Sequence, residues 1–572
     1  MAVDLNFLAG GEAGQGVQSV GAVLAKSLSY GGYHIFADQD YESRVRGGHN
    51  FFRVRVRDRE VLALSEDLDV LIALNRETID LHKGELKPGG IIIHDREQTE
   101  FADDCAACMD VPFNRLAMEA AQNRLMTNTV AVGATMGLIG YDFATLESVL
   151  RREFAKAGDK IVADNIRAAL AGFDFARQNS DGQKLRPIDG APRRMLLNGN
   201  ESLSVGILAG GCKFVAGYPM TPSSSILEYI ANKSTRYNVV MVHVEDEIAA
   251  INMAVGAGYA GARSLVATSG GGFALMVEGL ALAGMTETPV VIVLGQRPGP
   301  ATGLPTRTEQ GELWFALHAG HGEFPRAVLA PATVAEAFVM AVKALNLAEK
   351  YQTPVLILTD HHLASSYNTV PRFDLKQVRI ERGALLSDEE VSRLADYRRH
   401  QVVDSGVSPR ALPGQGKALV VTDSDEHDEA GHIIEDAATR IRMNEKRLRK
   451  LRGLQAEISA PLVKRMPKAE LNLIGWGSSY GAIHEAIELL HEEGIAANHI
   501  HLSEIWPFPT EAVTRALDSK AKSVVIESNA TAQMAGLIRR ETGIRVNGNI
   551  LRYDGRPISP KYIVDNLKKE VS

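Results

Sequence analysis

Four polar segments rich in glycine or proline lie between residues 216 and 308, and all of them follow short runs of β-branched or small apolar residues. The apolar runs occupy residues 214–216, 239–244, 265–267 and 289–294. The polar segments read GYPMTPSSS at 217–225, EDE at 245–247, TSGGG at 268–272 and QRPGPATGLPTRT at 296–308. Short apolar runs that alternate with helical segments predict the strands of a parallel α/β sheet. Because the carboxyl ends of parallel strands share one edge of a sheet, we expect the four segments to form one ligand site.

Length and composition restrict the class of protein. With 572 residues and 45% hydrophobic content, the chain is long enough for several domains with buried cores. Its formal net charge of -8 is small for this size, so the charge gives no reason to expect binding to nucleic acid or to an anionic membrane. The N-terminal residues lack a basic segment followed by a long apolar one, and no apolar run reaches the length of a membrane span. We therefore expect a cytoplasmic protein.

Three cysteines are too few for a disulfide scaffold and fit a reducing compartment. Cys105 and Cys108 have the Cys-x-x-Cys spacing found in some redox and metal sites. The sequence contains no second pair of this kind, and Cys212 alone cannot complete a set of four thiolates. We interpret the pair as structural or incidental and expect no iron-sulfur cluster within this chain.

The pattern of strands, helices and linkers predicts α/β domains at residues 1–190, 191–365 and 469–572, with a charged insert at 366–468. The first domain begins with a strand at 5–9, a glycine turn at 10–16 and a helix at 17–30. The turn has the spacing Gly-x-x-Gly-x-Gly, whereas a dinucleotide site requires Gly-x-Gly-x-x-Gly, so dinucleotide binding is only an alternative. Arg44 and Arg46, beside two glycines, are candidates for contact with an anionic ligand, and a solvated loop explains them equally well.

The run RIRMNEKRLRK at residues 440–450 is basic and predicts a helix. Such runs are usually solvated helix faces, and docking of another subunit is the alternative.

The EDE segment at 245–247 begins a predicted helix that carries Ile251 and Val255 on one side. Glu245 and Asp246 fit the ordinary preference for acidic residues in a first turn, where the helix dipole stabilises them. Glu247 differs because it shares the side of Ile251, four residues later, and is expected to point towards the core. A carboxyl group in such a position is partly desolvated, which suits proton exchange with a ligand.

The four segments, in this order and extended to EDEIAAIN at 245–252 and TSGGGFALM at 268–276, resemble the α subunit of the 2-oxoacid:ferredoxin oxidoreductases. Several motifs in a fixed order are far more specific than one glycine loop. The GEAGQG and RGGH segments of the first domain resemble the γ domain of that family, fused here before α. The resemblance implies a multi-domain α/β fold: a γ-type α/β domain, a pyrimidine-type domain that binds thiamine diphosphate, and a domain like the C-terminal domain of transketolase.

The resemblance also implies a reaction and a cofactor. The reaction is the coenzyme A-dependent oxidative decarboxylation of a 2-oxoacid with thiamine diphosphate, in which iron-sulfur clusters pass electrons to ferredoxin. By motif position, Glu247 matches the glutamate that hydrogen-bonds the aminopyrimidine ring and thereby lets the cofactor's own nitrogen accept the thiazolium proton. Pro219 and Gly271 match further cofactor-binding positions.

Three residues match positions that bind the substrate. Thr221 corresponds to the threonine of the Tyr-Pro-x-Thr-Pro motif, near the reacting carbon, with a catalytic and a substrate-binding role. Arg297 and Thr306 correspond to residues that hold the substrate carboxylate, a task for which a guanidinium group is well shaped.

The family binds the diphosphate and Mg²⁺ through a Gly-Asp-Gly motif followed by Asn, and this sequence contains no Gly-Asp-Gly. The resemblance therefore implies a separate β subunit that supplies the diphosphate site, Mg²⁺ and at least one 4Fe-4S cluster, in an assembly such as (αβ)2. The chain alone is expected to be inactive.

The GLPTRTEQ segment at 303–310 and the fusion of γ with α look most like enzymes that convert 2-oxoglutarate to succinyl-CoA. Pyruvate and branched-chain 2-oxoacid enzymes share much of this pattern and are alternatives. The distal carboxylate of 2-oxoglutarate needs a further cation, either Arg307 or a residue of the partner. Two other hypotheses are a non-catalytic scaffold with a degenerate pocket and a dinucleotide-dependent dehydrogenase that uses the turn at 10–16.

Overall fold

The computed structural model describes residues 3–42, 47–101, 107–180 and 185–571. Arg44, Arg46 and Cys105 lie outside these residues. The chain divides into two compact units. Unit 1 comprises Met1–Leu197, Ser365–Arg372 and Ser559–Lys561, and unit 2 comprises Asn198–Ala364, Phe373–Ile558 and Tyr562–Ser572. The multi-domain α/β class predicted from the sequence is confirmed, whereas the boundaries near residues 190, 365 and 468 stay predictions.

Unit 1 is built on a mixed sheet with the strand order β6-β5-β4-β1-β3-β2-β14-β7. Its elements, in chain order, are β1 (Asp4–Glu12), α1 (Val17–Tyr30), β2 (His34–Asp40), β3 (His49–Arg57), β4 (Leu68–Ala73), α2 (Arg76–His82), β5 (Leu86–His94), α3 (Arg96–Thr99), β6 (Cys108–Asp110), α4 (Phe113–Ala121), α5 (Thr127–Leu138), α6 (Phe143–Glu153), α7 (Asp159–Gln178), β7 (Met195–Asn198) and β14 (Tyr367–Val370). The predicted strand and helix within residues 5–30 are confirmed, but the strand continues to Glu12, so the glycine turn is shorter than the predicted residues 10–16. Gly16 ends the turn with φ of 74°, and a Cβ there would lie 2.0 Å from Nδ2 of Asn128. This left-handed backbone conformation favours glycine, whether or not a ligand binds the turn.

Unit 2 contains a seven-stranded sheet, β18-β12-β13-β11-β10-β8-β9, and a five-stranded sheet, β15-β17-β16-β19-β20. Up to residue 365 its elements are α8 (Gly199–Ala209), β8 (Phe214–Gly217), α9 (Ser224–Ala231), α10 (Ser234–Tyr237), β9 (Val240–His243), α11 (Glu247–Tyr259), β10 (Ser264–Ser269), α12 (Gly270–Met285), β11 (Val290–Gln296), α13 (Leu313–His318), β12 (Ala327–Leu329), α14 (Val334–Tyr351), β13 (Pro354–Asp360) and α15 (His361–Ser365). The later elements are α16 (Asp388–Arg393), α17 (Ala437–Glu457), β15 (Leu462–Lys464), β16 (Leu471–Trp476), α18 (Tyr480–Glu492), β17 (Ala497–Leu502), β18 (Glu504–Trp506), α19 (Thr510–Leu517), β19 (Lys522–Glu527), α20 (Gln533–Thr542), β20 (Gly548–Leu551) and α21 (Pro560–Val571).

The four strands that precede the polar segments are neighbours, in the order β11-β10-β8-β9. They pair in parallel, so their carboxyl ends lie at one edge of the sheet. The predicted convergence of the four segments is therefore confirmed. One hydrophobic core continues from this sheet into the five-stranded sheet, since Ile292 and Leu356 belong to the same buried cluster as Trp476 and Val525.

The basic run at 440–450 is helical, as predicted, but the interpretation as a solvated face is wrong for three of its side chains. Lys446, Arg447 and Lys450 are buried. The Nζ atoms of Lys446 and Lys450 each lie 2.5 Å from a carboxylate oxygen of Glu287, which is also buried. Arg447 pairs with Glu426 at 2.7 Å. Because Glu287 lies far away along the chain, the local pattern of charges does not show that these cations are neutralised.

Every helix among the described residues is too short or too polar to cross a lipid bilayer.

Candidate functional site

The segment after β8 turns sharply at a cis peptide bond between Thr221 and Pro222. The hydroxyl of Ser223 donates a hydrogen bond to the backbone oxygen of Thr268 over 2.5 Å, and Nδ2 of Asn200 donates to the oxygen of Pro222 over 2.8 Å. The first bond fixes the first polar segment to the end of β10, and the second fixes it to α8.

Arg297 follows the last residue of β11, and its Nη1 donates a hydrogen bond to the backbone oxygen of Thr221 over 2.8 Å. The structure thus brings together two of the residues that the sequence singled out. The bond uses one of the five N–H donors of the guanidinium group. Burial lowers the pKa of Arg297, and nearby Glu312 acts in the opposite direction.

Glu247 is the first residue of α11, and the side chain of Asp246 caps this helix by accepting a hydrogen bond from the Ala249 amide over 2.8 Å. As predicted, Glu247 is buried, with 3% of its surface exposed. Its Oε1 has no hydrogen-bond partner among the described residues. A buried carboxyl oxygen without a partner is costly, which indicates that a ligand completes it.

The glycines of the third segment allow α12 to begin next to Glu247. A Cβ at Gly272 would lie 2.5 Å from Oε1 of Glu247 and 2.1 Å from Oγ1 of Thr268. Gly271 is exposed, and a Cβ there would meet only the oxygen of Ala301, at 3.8 Å. The segment therefore combines one glycine required by packing with one that faces open space.

Glu312 is a second acidic group at this site, and it is not among the residues predicted from the sequence. A Cβ at Gly270 would lie 1.6 Å from its Oε1, which places the carboxyl group against the start of α12. Its Oε2 is buried and has no partner among the described residues. Burial and, to a lesser extent, Glu309 raise the pKa of Glu312 to about 8, although Arg297 acts in the opposite direction. The only signal in the sequence was an acidic residue shortly after the fourth segment, which is too common to single out.

For two of the site residues predicted from the sequence, the structure shows no contact that would test the assigned role. Thr306 is buried in the loop after β11, and among the described residues it makes no hydrogen bond to Arg297 or Thr221. Pro219 is exposed. Their assigned roles stay predictions.

Exposed apolar side chains lie on α11, the helix that begins with Glu247, and on α12. Ile248 and Met253 of α11 are 50% and 43% exposed, and Leu275 of α12 is 49% exposed. These helices pack together, since a Cβ at Gly279 of α12 would lie 2.7 Å from Cγ2 of Ile251. Single exposed apolar residues are normal, but several on one pair of helices indicate a surface that another chain covers.

Three protein families match successive parts of the chain. Residues 6–175 match the family described as pyruvate ferredoxin/flavodoxin oxidoreductase. Residues 205–446 match the thiamine diphosphate-binding family of pyruvate flavodoxin/ferredoxin oxidoreductases, and residues 469–563 match core domain II of pyruvate:ferredoxin oxidoreductase.

Several relatives match nearly the whole length of this chain. A 2-oxoacid:ferredoxin oxidoreductase subunit alpha of a Sulfolobus species is 33% identical over 99% of this chain and 97% of its own length. The 2-oxoglutarate oxidoreductase subunit KorA of Mycobacterium tuberculosis is 29% identical over 92% of this chain and 86% of its own. A solved structure of the 2-oxoglutarate:ferredoxin oxidoreductase of Magnetococcus marinus, with 2-oxoglutarate, coenzyme A and succinyl-CoA bound, is 32% identical over the full length of both chains, with a TM-score of 0.92.

Proposed function

Because the chain belongs to the family of 2-oxoacid:ferredoxin oxidoreductase α subunits, we propose that it provides half of an active site that converts 2-oxoglutarate to succinyl-CoA. The chain is an oxidoreductase subunit. Carbon dioxide leaves the 2-oxoacid, coenzyme A takes up the acyl group, and ferredoxin accepts the electrons.

The observation that carries this proposal is the buried, unpartnered Oε1 of Glu247 at the sheet edge where Arg297 meets Thr221. The residues fit thiamine diphosphate, since Glu247 offers a desolvated carboxyl group beside a glycine segment. When bound, this cofactor supplies the carbanion stabilisation that decarboxylation of a 2-oxoacid requires. Glu247 would hold the aminopyrimidine ring and exchange a proton with its nitrogen, and Gly271 and Pro219 would line the ring's position.

Arg297 and Thr221 have a separate task, which is to hold and orient the substrate. The guanidinium group, fixed by its bond to the Thr221 oxygen, pairs with the substrate carboxylate, and Thr306 contributes its hydroxyl. A cation with unused donors in a half-buried position is strongly favourable for an anionic ligand.

We expect Arg297→Gln to raise the KM for the 2-oxoacid roughly 30- to 200-fold, because a charge-assisted hydrogen bond of ~2–3 kcal/mol is lost. Arg297→Lys keeps the charge without the planar fork and should recover part of the affinity. Steady-state kinetics of the complex measure both. An unchanged KM in Arg297→Gln would remove the assigned role.

Glu312 predicts a pH dependence of substrate binding. Its raised pKa, about 8, means that the carboxyl group is neutral at pH 7 and ionises as the pH rises towards 9. The resulting carboxylate competes with the substrate for Arg297, so we expect KM to rise by about tenfold across this range. Glu312→Gln should remove this rise, while Glu323→Gln, at an exposed glutamate, should keep it. An identical alkaline rise of KM in Glu312→Gln would contradict the prediction.

We propose that a β subunit covers the exposed apolar side chains of α11 and α12 and completes the site. The absence of Gly-Asp-Gly from the sequence supports a partner that binds the diphosphate, Mg²⁺ and the 4Fe-4S clusters. The assembly proposed is (αβ)2, located in the cytoplasm.

The choice of 2-oxoglutarate rests on relatives named for this substrate, whereas others, such as the Sulfolobus protein, are named for 2-oxoacids in general. The test is co-expression with the β subunit and coenzyme A-dependent dye reduction with 2-oxoglutarate, pyruvate and 3-methyl-2-oxobutanoate. The proposal requires kcat/KM to be highest for 2-oxoglutarate. A higher kcat/KM for pyruvate or for 3-methyl-2-oxobutanoate would change the proposed substrate but not the proposed type of reaction. The absence of both turnover and bound thiamine diphosphate would favour a non-catalytic scaffold.

A further inference from the structure

Unit 1 contains a cavity of about 310 Å³, and no residue of the candidate functional site lines it. Its lining includes four cationic side chains: Lys26, Arg152, Arg193 and Arg194. Asp189 is an acidic residue in the same lining. The volume lies at the lower end of the range for small-molecule sites.

Several contacts fix the position of this basic lining. Nη1 of Arg152 donates a hydrogen bond to the hydroxyl of Tyr30 over 2.8 Å, and its guanidinium carbon lies 4.9 Å from the centre of the Tyr30 ring. Nη1 of Arg194 donates to the backbone oxygen of Gly32 over 3.1 Å. Two guanidinium groups on different segments are therefore held at one cavity before any ligand arrives, which lowers the entropic cost of binding.

Hydrogen bonds to two of its residues hold the wall formed by residues 186–194. The amide of Ile188 donates to the oxygen of Gly31 over 2.8 Å, and the hydroxyl of Tyr33 donates to the oxygen of Arg186 over 2.7 Å. Gly32 has φ of 91°, and a Cβ there would lie 2.5 Å from Cβ of Ala191. The wall thus packs directly on the turn between α1 and β2.

The charges at the cavity do not cancel. Lys26 forms an ion pair with Glu153 at 2.6 Å. The rest of the lining then has three positively charged arginines and one negatively charged residue, Asp189. Burial and then Arg194 lower the pKa of the neighbouring His34, although Asp58 acts in the opposite direction. A ligand with two or three negative charges would balance this excess.

From this geometry we propose that the cavity binds a small polyvalent anion, a phosphorylated or polycarboxylic molecule, in contact with Arg152, Arg193 and Arg194. The site differs from the glycine turn at residues 10–16, because the turn precedes α1, whereas the cavity is lined by the last residues of that helix. The rise along α1 from Val17 to the lining residues Lys26 and Tyr30 is about 14–20 Å. The proposal is independent of the function proposed for unit 2.

A simpler explanation exists for Arg152 alone. Cations in the last turn of a helix are stabilised by the helix dipole, and α6 carries both Arg151 and Arg152 there. Arg151 does not line the cavity and pairs instead with Glu147. Arg151→Gln is therefore a matched control for Arg152→Gln, with the same helix end and the same change of charge.

The test is isothermal titration of the full-length chain at low ionic strength with inorganic pyrophosphate and, separately, with citrate. We expect saturable binding of at least one probe, and its identity distinguishes a phosphate from a carboxylate ligand. Arg152→Gln and Arg193→Gln should each weaken this binding about tenfold or more, because a charge-assisted contact is lost, while Arg151→Gln should change it less than about twofold.

Two results would overturn the proposal. One is the absence of saturable binding of both probes up to millimolar concentration. The other is equal weakening by Arg151→Gln and Arg152→Gln, which would show a general effect of surface charge. Arg193 is exposed, so its variant keeps the test valid if Arg152→Gln unfolds.

Discussion

Replacement of Glu247 by glutamine should lower kcat by about 10²- to 10⁴-fold, the range for loss of a positioned proton-transfer group. The side chain keeps its size and its burial, so that the change is confined to the proton that Oε1 can accept. The measurement is 2-oxoacid- and coenzyme A-dependent dye reduction by the complex with its β subunit, together with the content of bound thiamine diphosphate.

Glu245 provides the control for this variant. It lies two residues earlier, just before the N-cap of the same helix, and is exposed, so Glu245→Gln should leave turnover within about twofold, as is usual for surface substitutions. Equal turnover of Glu247→Gln and the unchanged enzyme would remove Glu247 from the proton-transfer role. Loss of turnover with loss of the fold would be seen in the circular dichroism spectrum.

Glu287→Gln should reduce the free energy of unfolding by about 3–5 kcal/mol, because it removes one partner from a buried charge cluster. Its carboxylate meets Lys446 and Lys450 at 2.5 Å and Nδ1 of His400 at 2.9 Å. Burial acts to raise the pKa of Glu287, but the two lysines outweigh it and hold the pKa well below its usual range. Glutamine cannot neutralise the cations that remain.

Urea unfolding followed by circular dichroism measures this loss, and a lower melting temperature should accompany it. The matched control is Glu445→Gln, at an exposed glutamate next to Lys446 on α17, which should change stability by less than about 0.5 kcal/mol. An equal, small effect of both variants would show that the cluster contributes little to stability.

The sequence predicted the features that depend on local periodicity and strand order. The four apolar runs became parallel neighbouring strands, and the helical spacing of Glu247 and Ile251 correctly predicted burial of the carboxyl group. The sequence does not predict the hydrogen bond between Arg297 and Thr221, but both residues match substrate-binding positions in motifs that follow strands β11 and β8 of one sheet.

Features that depend on distant partners were not predictable in this way. Lys446 and Lys450 belong to a basic run that resembles a solvated face, and only the fold shows that Glu287 lies against them. Glu312 was missed because its burial depends on the position of Gly270 in another segment. In both cases a charge is buried by residues far away in the sequence.

The position of β14 in the sheet of unit 1 affects whether the N-terminal part of this chain can be prepared as a separate fragment. Strand β14, from residues 367–370, lies beside β2 and joins it to β7, and the amide of Ile35 donates a hydrogen bond to Oγ1 of Thr369 over 3.0 Å. A fragment that ended near residue 190 would lack both β14 and β7, and the backbone of β2 would be open to pairing with other chains. Such an uncovered edge favours aggregation, so the N-terminal piece would need a designed cap, or the missing strand supplied as a peptide, to be handled on its own.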